Sequence, residues 1–285
     1  MNFYSPLRYP GGKGKLTDFF HVIIEENNLS DGYYVEPYAG GASVALSLLF
    51  NEYVSKIIIN DFDRSIYAFW FSVLNETRKL CELILKTKVN LSTWRKSKKI
   101  QSKKQETSLL ELGFSTFFLN RTNRSGIIKG GVIGGKHQEG KWKIDARFNK
   151  KDLISRIERI ADYKNRIEVY NLDACELCRK LTKLLPKRTL FYFDPPYYLK
   201  GRDLYVNYYN YQDHITVARM VRGLRKFRWV VTYDNRDEIK RLYSSHRKIE
   251  YSLLYTASKV SKGSEVMFFD DTLNIPTIKK LVNVK

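Results

Sequence analysis

Asp194 closes an apolar run, Leu190-Phe191-Tyr192-Phe193, and is followed at once by Pro195, Pro196 and Tyr197. The run reads as a buried strand that stops at an acid and two prolines. Neither proline has an N–H, and the residue before a proline is biased towards extended backbone. The turn therefore presents a carboxylate and carbonyl oxygens, with no amide donors at Pro195 and Pro196. Tyr197 adds a flat ring beside them. Acceptors plus a stacking face suit a planar ligand that carries an exocyclic amino group. The same residues would also make a strand end with a proline brake and a surface acid, so the upstream chain has to decide.

Upstream lie two glycine loops. Arg8-Tyr9-Pro10-Gly11-Gly12-Lys13-Gly14 precedes a helical pattern from Lys15 to about Glu26. Its glycines allow a close backbone approach, Lys13 suits a carboxylate or phosphate, and Tyr9 suits a ring. A strand, Tyr33-Tyr34-Val35-Glu36, then runs into Pro37-Tyr38-Ala39-Gly40-Gly41 and an apolar helix from Ala42 to Phe50. Strand, glycine loop and helix form the first unit of a nucleotide-binding α/β fold. The loop lacks both G-x-G-x-x-G and a Walker lysine, which disfavours dinucleotide and P-loop chemistry. A second strand, Lys56 to Asn60, ends at Asp61, 21 residues after Gly40. That is close to the spacing of about 20 residues at which an acid meets ribose hydroxyls. Helix capping is the competing role for Asp61 or Asp63.

Further elements must position these residues. Helical periodicity covers Ser65 to about Lys88, Glu106 to Leu119, Leu153 to Ala161 and Asp213 to Arg225. A strand at Ile167–Tyr170 leads to Asp173 at the head of a helix, and another strand covers Trp229–Tyr233. Lys248–Tyr255 and Glu265–Phe269 read as two closing strands, antiparallel to each other. Arg202–Tyr211, rich in tyrosine, reads as an irregular lid or ordinary surface.

The net charge is +20, and from Arg78 to Arg166 there are 23 Lys/Arg against 8 Asp/Glu. Three quarters of the excess thus falls in under a third of the chain, a segregation that a polyanion partner would use. Asn120, Arg121, Asn123 and Arg124 lie there, followed by glycines at 130, 131, 134 and 135 among Lys129, Lys136, Lys141 and Lys143. Arg and Asn read guanine and adenine edges, Trp142 could wedge or stack, and the glycine spacing suggests a β-hairpin or a loop. With 43% hydrophobic residues the chain is globular. No apolar run approaches a bilayer span, and the N-terminus does not resemble a signal peptide. Three cysteines fit a reducing interior, and Cys175-x-x-Cys178 with only Cys81 besides makes no zinc set. No metal is expected.

Together these blocks resemble the Dam-type, D12-class DNA adenine-N6 methyltransferases in the order of the alpha group. Arg8 to Lys13 matches the N-terminal cofactor motif, and Glu36 to Gly41 matches E-P-F-x-G-x-G, with Tyr38 for Phe and Ala42 at the last glycine. Asn60-Asp61, Asn120-Arg121 with Gly126, and Asp194-Pro195-Pro196-Tyr197 match further motifs. The F-N-x-P-x-G of GATC-methylating members is absent after Gly126, so the likeness does not extend to that target.

The resemblance implies a Rossmann-like α/β sheet dependent on S-adenosyl-L-methionine, with an inserted, mainly helical DNA-recognition domain carrying a β-hairpin. The catalytic domain would cover 1–70 and 165–285, and the insert 71–164. It implies Asp194, Pro195, Pro196 and Tyr197 as catalytic, with Tyr197 stacking on a flipped adenine. Tyr9, Gly12, Lys13, Glu36, Pro37, Tyr38, Gly40, Gly41, Asp61, Asp173 and Asp194 would hold the cofactor, which leaves as S-adenosyl-L-homocysteine. Asn120, Arg121, Asn123, Arg124, Lys129 and Lys136 would contact double-stranded DNA. The expected setting is cytoplasmic, on DNA and away from membranes, as a monomer or weak dimer. A cognate restriction endonuclease remains open as a partner. Cytosine-N4 or RNA adenine as acceptor, or a silent DNA-binding protein, are the competing functions.

Overall fold

The computed structural model describes residues 4–8, 13–198, 209–256 and 260–276. Tyr9, Gly11 and Gly12 of the first loop, and most of the tyrosine-rich stretch from Arg202, lie outside them. The chain divides into two compact units, Lys13–Asp61 with Arg166–Lys285 and Met1–Gly12 with Phe62–Asn165.

The first unit is built on a seven-stranded sheet. Its strands are β1 (Gly32–Glu36), β2 (Val54–Asn60), β3 (Ile167–Tyr170), β4 (Thr189–Phe193), β5 (Arg228–Asp234), β6 (Lys248–Thr256) and β7 (Val260–Phe269), in the order β3-β2-β1-β4-β5-β7-β6. The first five strands pair in parallel, and β7 enters antiparallel between β5 and β6. Near-continuous apolar runs such as Thr189–Phe193, buried throughout, are what a parallel sheet covered on both faces requires. On one face lie α1 (Thr17–Glu26), which buries Phe19, Phe20, Ile23 and Ile24, and α2 (Ser43–Phe50), buried nearly all round. On the other, α8 (Ala174–Leu181), α9 (Tyr211–Arg222) and α10 (Asp237–Leu242) cover Val35, Phe191, Phe193, Val231 and Phe268. This is a Rossmann-like α/β sheet, and its order reverses direction between β1 and β4, where such folds bind ligands.

The second unit is helical: α3 (Arg64–Asn75), α4 (Thr77–Lys86), α5 (Leu91–Ser102), α6 (Leu109–Thr122) and α7 (Lys150–Asp162). The single helix expected from Ser65 to Lys88 breaks at Glu76, whose φ of −129° leaves the helical region. The boundary between units also falls at residue 61, earlier than 70, because α3 packs on α6. Phe69 stacks on Phe117 at 5.9 Å, and a Cβ at Gly113 would stand 2.5 Å from the Ala68 carbonyl.

No β-hairpin forms among the described residues 123–149. A single antiparallel bridge, Asn123 with Val132, stands in its place. Gly134 and Gly135 both take left-handed φ, and Gln138 donates to the Ile133 and Gly135 carbonyls while accepting from the Ile144 amide. That side chain occupies backbone groups a ladder would have paired.

Among the described residues no helix is long and apolar enough to cross a membrane. Asn120 binds the backbone of Arg8 at both ends, accepting from its amide at 2.7 Å and donating to its carbonyl at 2.7 Å, and donates also to Gly126 O. Asn120→Ala strands three buried or part-buried backbone groups and is expected to cost about 3 kcal/mol, read by denaturant unfolding. A loss below about 1 kcal/mol would show that these bonds do not hold the segment.

Candidate active site

Four acids sit at or just beyond the carboxyl ends of four parallel strands: Glu36 on β1, Asp61 after β2, Asp173 after β3 and Asp194 after β4. Asn60, buried at the end of β2, ties three of these ends together. Its amide donates to Pro37 O and Leu172 O and accepts from Leu172 N, at 2.9–3.0 Å. The loop after β1 is closed by Asp61, whose Oδ2 accepts from the Gly40 amide at 3.0 Å. Asn171 in turn donates to Asp61 O at 2.8 Å. Gly40 and Ala42 both take left-handed φ, +46° and +47°. At Ala42 the methyl group costs about 1 kcal/mol of strain that a glycine would not incur. Asp63, not Asp61, caps α3, accepting from Ser65 N.

Glu36 is buried, and its Oε1 accepts from the Tyr34 hydroxyl at 3.0 Å and from Ala45 N, in the first turn of α2, at 3.2 Å. Burial pushes its carboxyl up to about 8, opposed in part by those two hydrogen bonds. Asp173 caps α8 through Cys175 N at 2.9 Å and Glu176 N at 3.3 Å. Tyr38 shares a hydroxyl contact of 3.2 Å with Tyr209.

Asp194 points inward, with 20% of its side chain exposed. Its Oδ1 accepts from the Thr232 hydroxyl at 2.7 Å and faces the Lys13 ammonium at 3.1 Å. Burial pushes its carboxyl above the ordinary range, Lys13 pulls it back, and Glu265 adds to the rise. Lys13, itself buried, also lies 3.3 Å from Glu265 and donates to the Tyr197 hydroxyl. Tyr197 departs from the expected open stacking ring. It is 5% exposed, and its hydroxyl donates to Glu265. The paired β4, β5 and β7 ends draw the ring into that buried network.

The structure thus brings together Lys13, Asp194 and Tyr197, and separately Glu36, Pro37, Gly40 and Asp61 along the neighbouring strand ends. Three participants escaped the sequence reading as site residues. Asn60 stood inside a noted motif, and Thr232 is a lone hydroxyl in an apolar strand. Glu265 lies inside β7, with no spacing to mark it.

The expected base-reading role of Asn120 and Asn123 is corrected. Both are buried, and Asn123 donates to Ile127 O and Ile128 O while accepting from Trp94 Nε1 at 2.7 Å. Their amides are consumed by backbone inside the helical unit. Arg121 is half-buried, donating to Arg147 O at 2.7 Å. Burial, followed by the charges of Arg8 and Arg156, holds its guanidinium down at about 10. Arg124, Lys129 and Lys136 are exposed, as is Trp142 at 62%. Among the described residues no cluster of His, Cys, Asp and Glu is arranged for a metal.

A carboxyl that is neutral in the fold and ionised when unfolded means the folded state binds more protons across that window. For Glu36 the window runs from 4.5 to about 8, and stability falls as pH rises through it. Glu36→Gln should remove this slope, so denaturant titrations from about pH 5 to 8 should show the wild type losing stability relative to the variant. Parallel curves would mean an ionised Glu36 in the folded protein.

A model of the D12 class N6 adenine-specific DNA methyltransferases matches residues 9–260. No curated protein matches the chain closely enough to count as a relative. Among solved structures, a candidate RNA methyltransferase of Pyrococcus horikoshii is 8% identical, covering 94% of this chain and 88% of its own, with a TM-score of 0.41. A SAM-dependent methyltransferase of Agrobacterium tumefaciens is 7% identical, with 90% and 62% covered and a TM-score of 0.42. The rRNA methyltransferase aviRa of Streptomyces viridochromogenes is 12% identical, with 88% and 83% covered and a TM-score of 0.39. The match over 252 of 285 residues (9–260) rests on sequence and is independent of these distant likenesses. The chain belongs to the D12 class of N6 adenine-specific DNA methyltransferases, and S-adenosyl-L-methionine is its methyl donor.

Proposed function

We propose that this protein methylates the exocyclic amino group of adenine in double-stranded DNA, and that Asp194 is the residue on which the transfer turns. The observation that carries this reading is the carboxylate of Asp194, oriented through Oδ1 by Thr232 and Lys13 at the end of a buried strand and followed by two prolines.

The residues present suit the donor. Carboxylates at Asp61 and Asp173 can accept from ribose hydroxyls and an adenine amino group, and the acid-lined strand ends complement a cation. Bound there, the donor would supply a methyl group on a positively charged sulfur. Adenine's amino nitrogen is a poor nucleophile because its lone pair is delocalised into the ring. Asp194 and the Pro195 carbonyl would each accept one of its hydrogens, favouring a pyramidal nitrogen with its lone pair aimed at the methyl group. Positioning and electrostatics carry such a step, without a covalent intermediate, and the proton that the amino nitrogen sheds on gaining the methyl group would pass to solvent.

Inside a duplex that nitrogen is out of reach, so the base is flipped, at a cost of a few kcal/mol. Phosphate contacts from the helical, basic unit can offset this. Arg124, Lys129 and Lys136 are exposed there, and burial together with neighbouring guanidiniums holds Arg8 and Arg121 below the usual arginine range, Arg147 acting on both. Crowded guanidiniums of this kind suit an anion, and Trp142 offers an exposed aromatic for a base step.

Asp194→Ala should lower methyl transfer to unmethylated DNA by at least about a thousandfold, a loss of about 4 kcal/mol in barrier terms, while cofactor affinity by calorimetry changes little. Half-normal turnover, or N4-methylcytosine as the labelled nucleoside, would overturn the reading. Arg124→Glu with Lys129→Glu should weaken DNA binding and reduce the salt slope by about 2, with cofactor binding unchanged. An unchanged slope would place the DNA elsewhere.

A further inference from the structure

Glu265 belongs to no motif of the chain, yet its surroundings are unusual for a strand interior. It is 1% exposed, and the four residues after it, Val266, Met267, Phe268 and Phe269, are fully buried and apolar. An acid in such a place costs several kcal/mol unless it is paired, and an apolar residue of similar size would fill the space more cheaply. Its partners are specific. Oε1 accepts from the Tyr197 hydroxyl and lies 3.3 Å from the Lys13 ammonium, while Oε2 accepts from the Tyr251 hydroxyl at 2.5 Å.

Strand register explains how these groups meet. Pairing places Glu265 opposite Asp234 on β5 and opposite Tyr251 on β6, and Met267 opposite Thr232. Side chains two apart on a strand share a face, so Thr232, Glu265 and Tyr251 line one side of the sheet. Tyr192, opposite Val230, joins the same side and contacts the Thr232 hydroxyl at 2.9 Å. Lys13, in the short helical turn before α1, inserts its ammonium between Glu265 and Asp194 Oδ1.

We propose that Glu265 is a positioning residue for the methyl transfer: it fixes the Lys13 ammonium and the Tyr197 hydroxyl, and through Lys13 sets the orientation of the Asp194 carboxylate towards the acceptor's amino group. The inference rests on the reading of Asp194 as the acceptor-binding acid. Glu265 itself touches neither substrate; its influence on the rate passes through Lys13.

The test compares Glu265→Gln, Tyr251→Phe, Lys13→Gln and the double variant Lys13→Gln/Glu265→Gln, with Asp194→Asn as the control. Initial rates are measured on plasmid DNA lacking adenine methylation with tritiated S-adenosylmethionine, cofactor affinity by calorimetry, and folding by thermal melting. Glu265→Gln should lower kcat about 30-fold, with cofactor affinity and the KM for DNA within about threefold, a loss of about 2 kcal/mol in barrier terms. Tyr251→Phe removes one hydroxyl from Oε2 and should lower kcat about threefold, keeping a readout if the first variant fails to fold. In the Lys13→Gln background, adding Glu265→Gln should cost less than about threefold further, because the two act as one unit. A merely structural Glu265 would lower the melting temperature and leave kcat of the folded fraction at the wild-type value. That outcome, or a full multiplicative effect in the double variant, would overturn the proposal. If Asp194→Asn keeps normal turnover, the underlying reading falls instead, whatever Glu265→Gln shows.

Discussion

The ammonium of Lys13 lies between two acids, Glu265, which is buried, and Asp194, which is half-buried. It is 3.1 Å from Asp194 and 3.3 Å from Glu265, and it offsets the charge of both. Packing carboxylates at the end of a buried sheet is costly, and removing one member of such a group leaves an unpaired charge out of water. Hydroxyls complete the arrangement. Thr232 donates to Asp194, and Tyr197 and Tyr251 donate to Glu265. Even so, burial pushes the Asp194 carboxyl above the ordinary carboxylate range, and the Lys13 ammonium pulls it back.

The polar groups follow from the sheet's two-residue alternation. On the face towards α1, Tyr34 with Glu36, Tyr192 with Thr232, and Glu265 with Tyr251 form a row of donors and acceptors. The opposite face holds Val35, Phe191, Phe193, Val231, Val266 and Phe268 and is apolar. One face is thus free to be a packed core while the other carries chemistry at its carboxyl edge. Phe20 packs 4.6 Å from Tyr192, so α1 supplies the low-dielectric cover under which these hydrogen bonds gain strength.

The helical unit shows a different economy. The asparagines that the sequence offers as base readers, Asn120 and Asn123, are spent on backbone. Gly126 is required for the same reason, since at φ +77° a Cβ would stand 2.2 Å from the Arg8 carbonyl. The family's N-R-x-x-x-x-G element and its N-terminal motif therefore meet as a structural joint at Arg8. Outward in that unit stand Arg124, Lys129, Lys136 and Trp142, with Phe62 and Leu85 exposed as well.

By itself the sequence determined the strands, their order of occurrence and the acids that end them, because apolar runs, glycine loops and prolines act locally. Asp194 with its two prolines, the Gly40 loop and Asp61 could all be read from spacing, and each lies at a strand end. Tertiary structure alone decided which side chains face one another. Glu265 reaches Tyr197 through strand pairing 68 residues away in sequence, and Asn60 reaches Leu172 across 112. Residue type also left open whether a polar group looks outward or inward. Asn120 turned to backbone, Tyr197 was drawn into the core, and Gln138 dissolved a hairpin, because each found partly or fully buried partners whose desolvation had to be met.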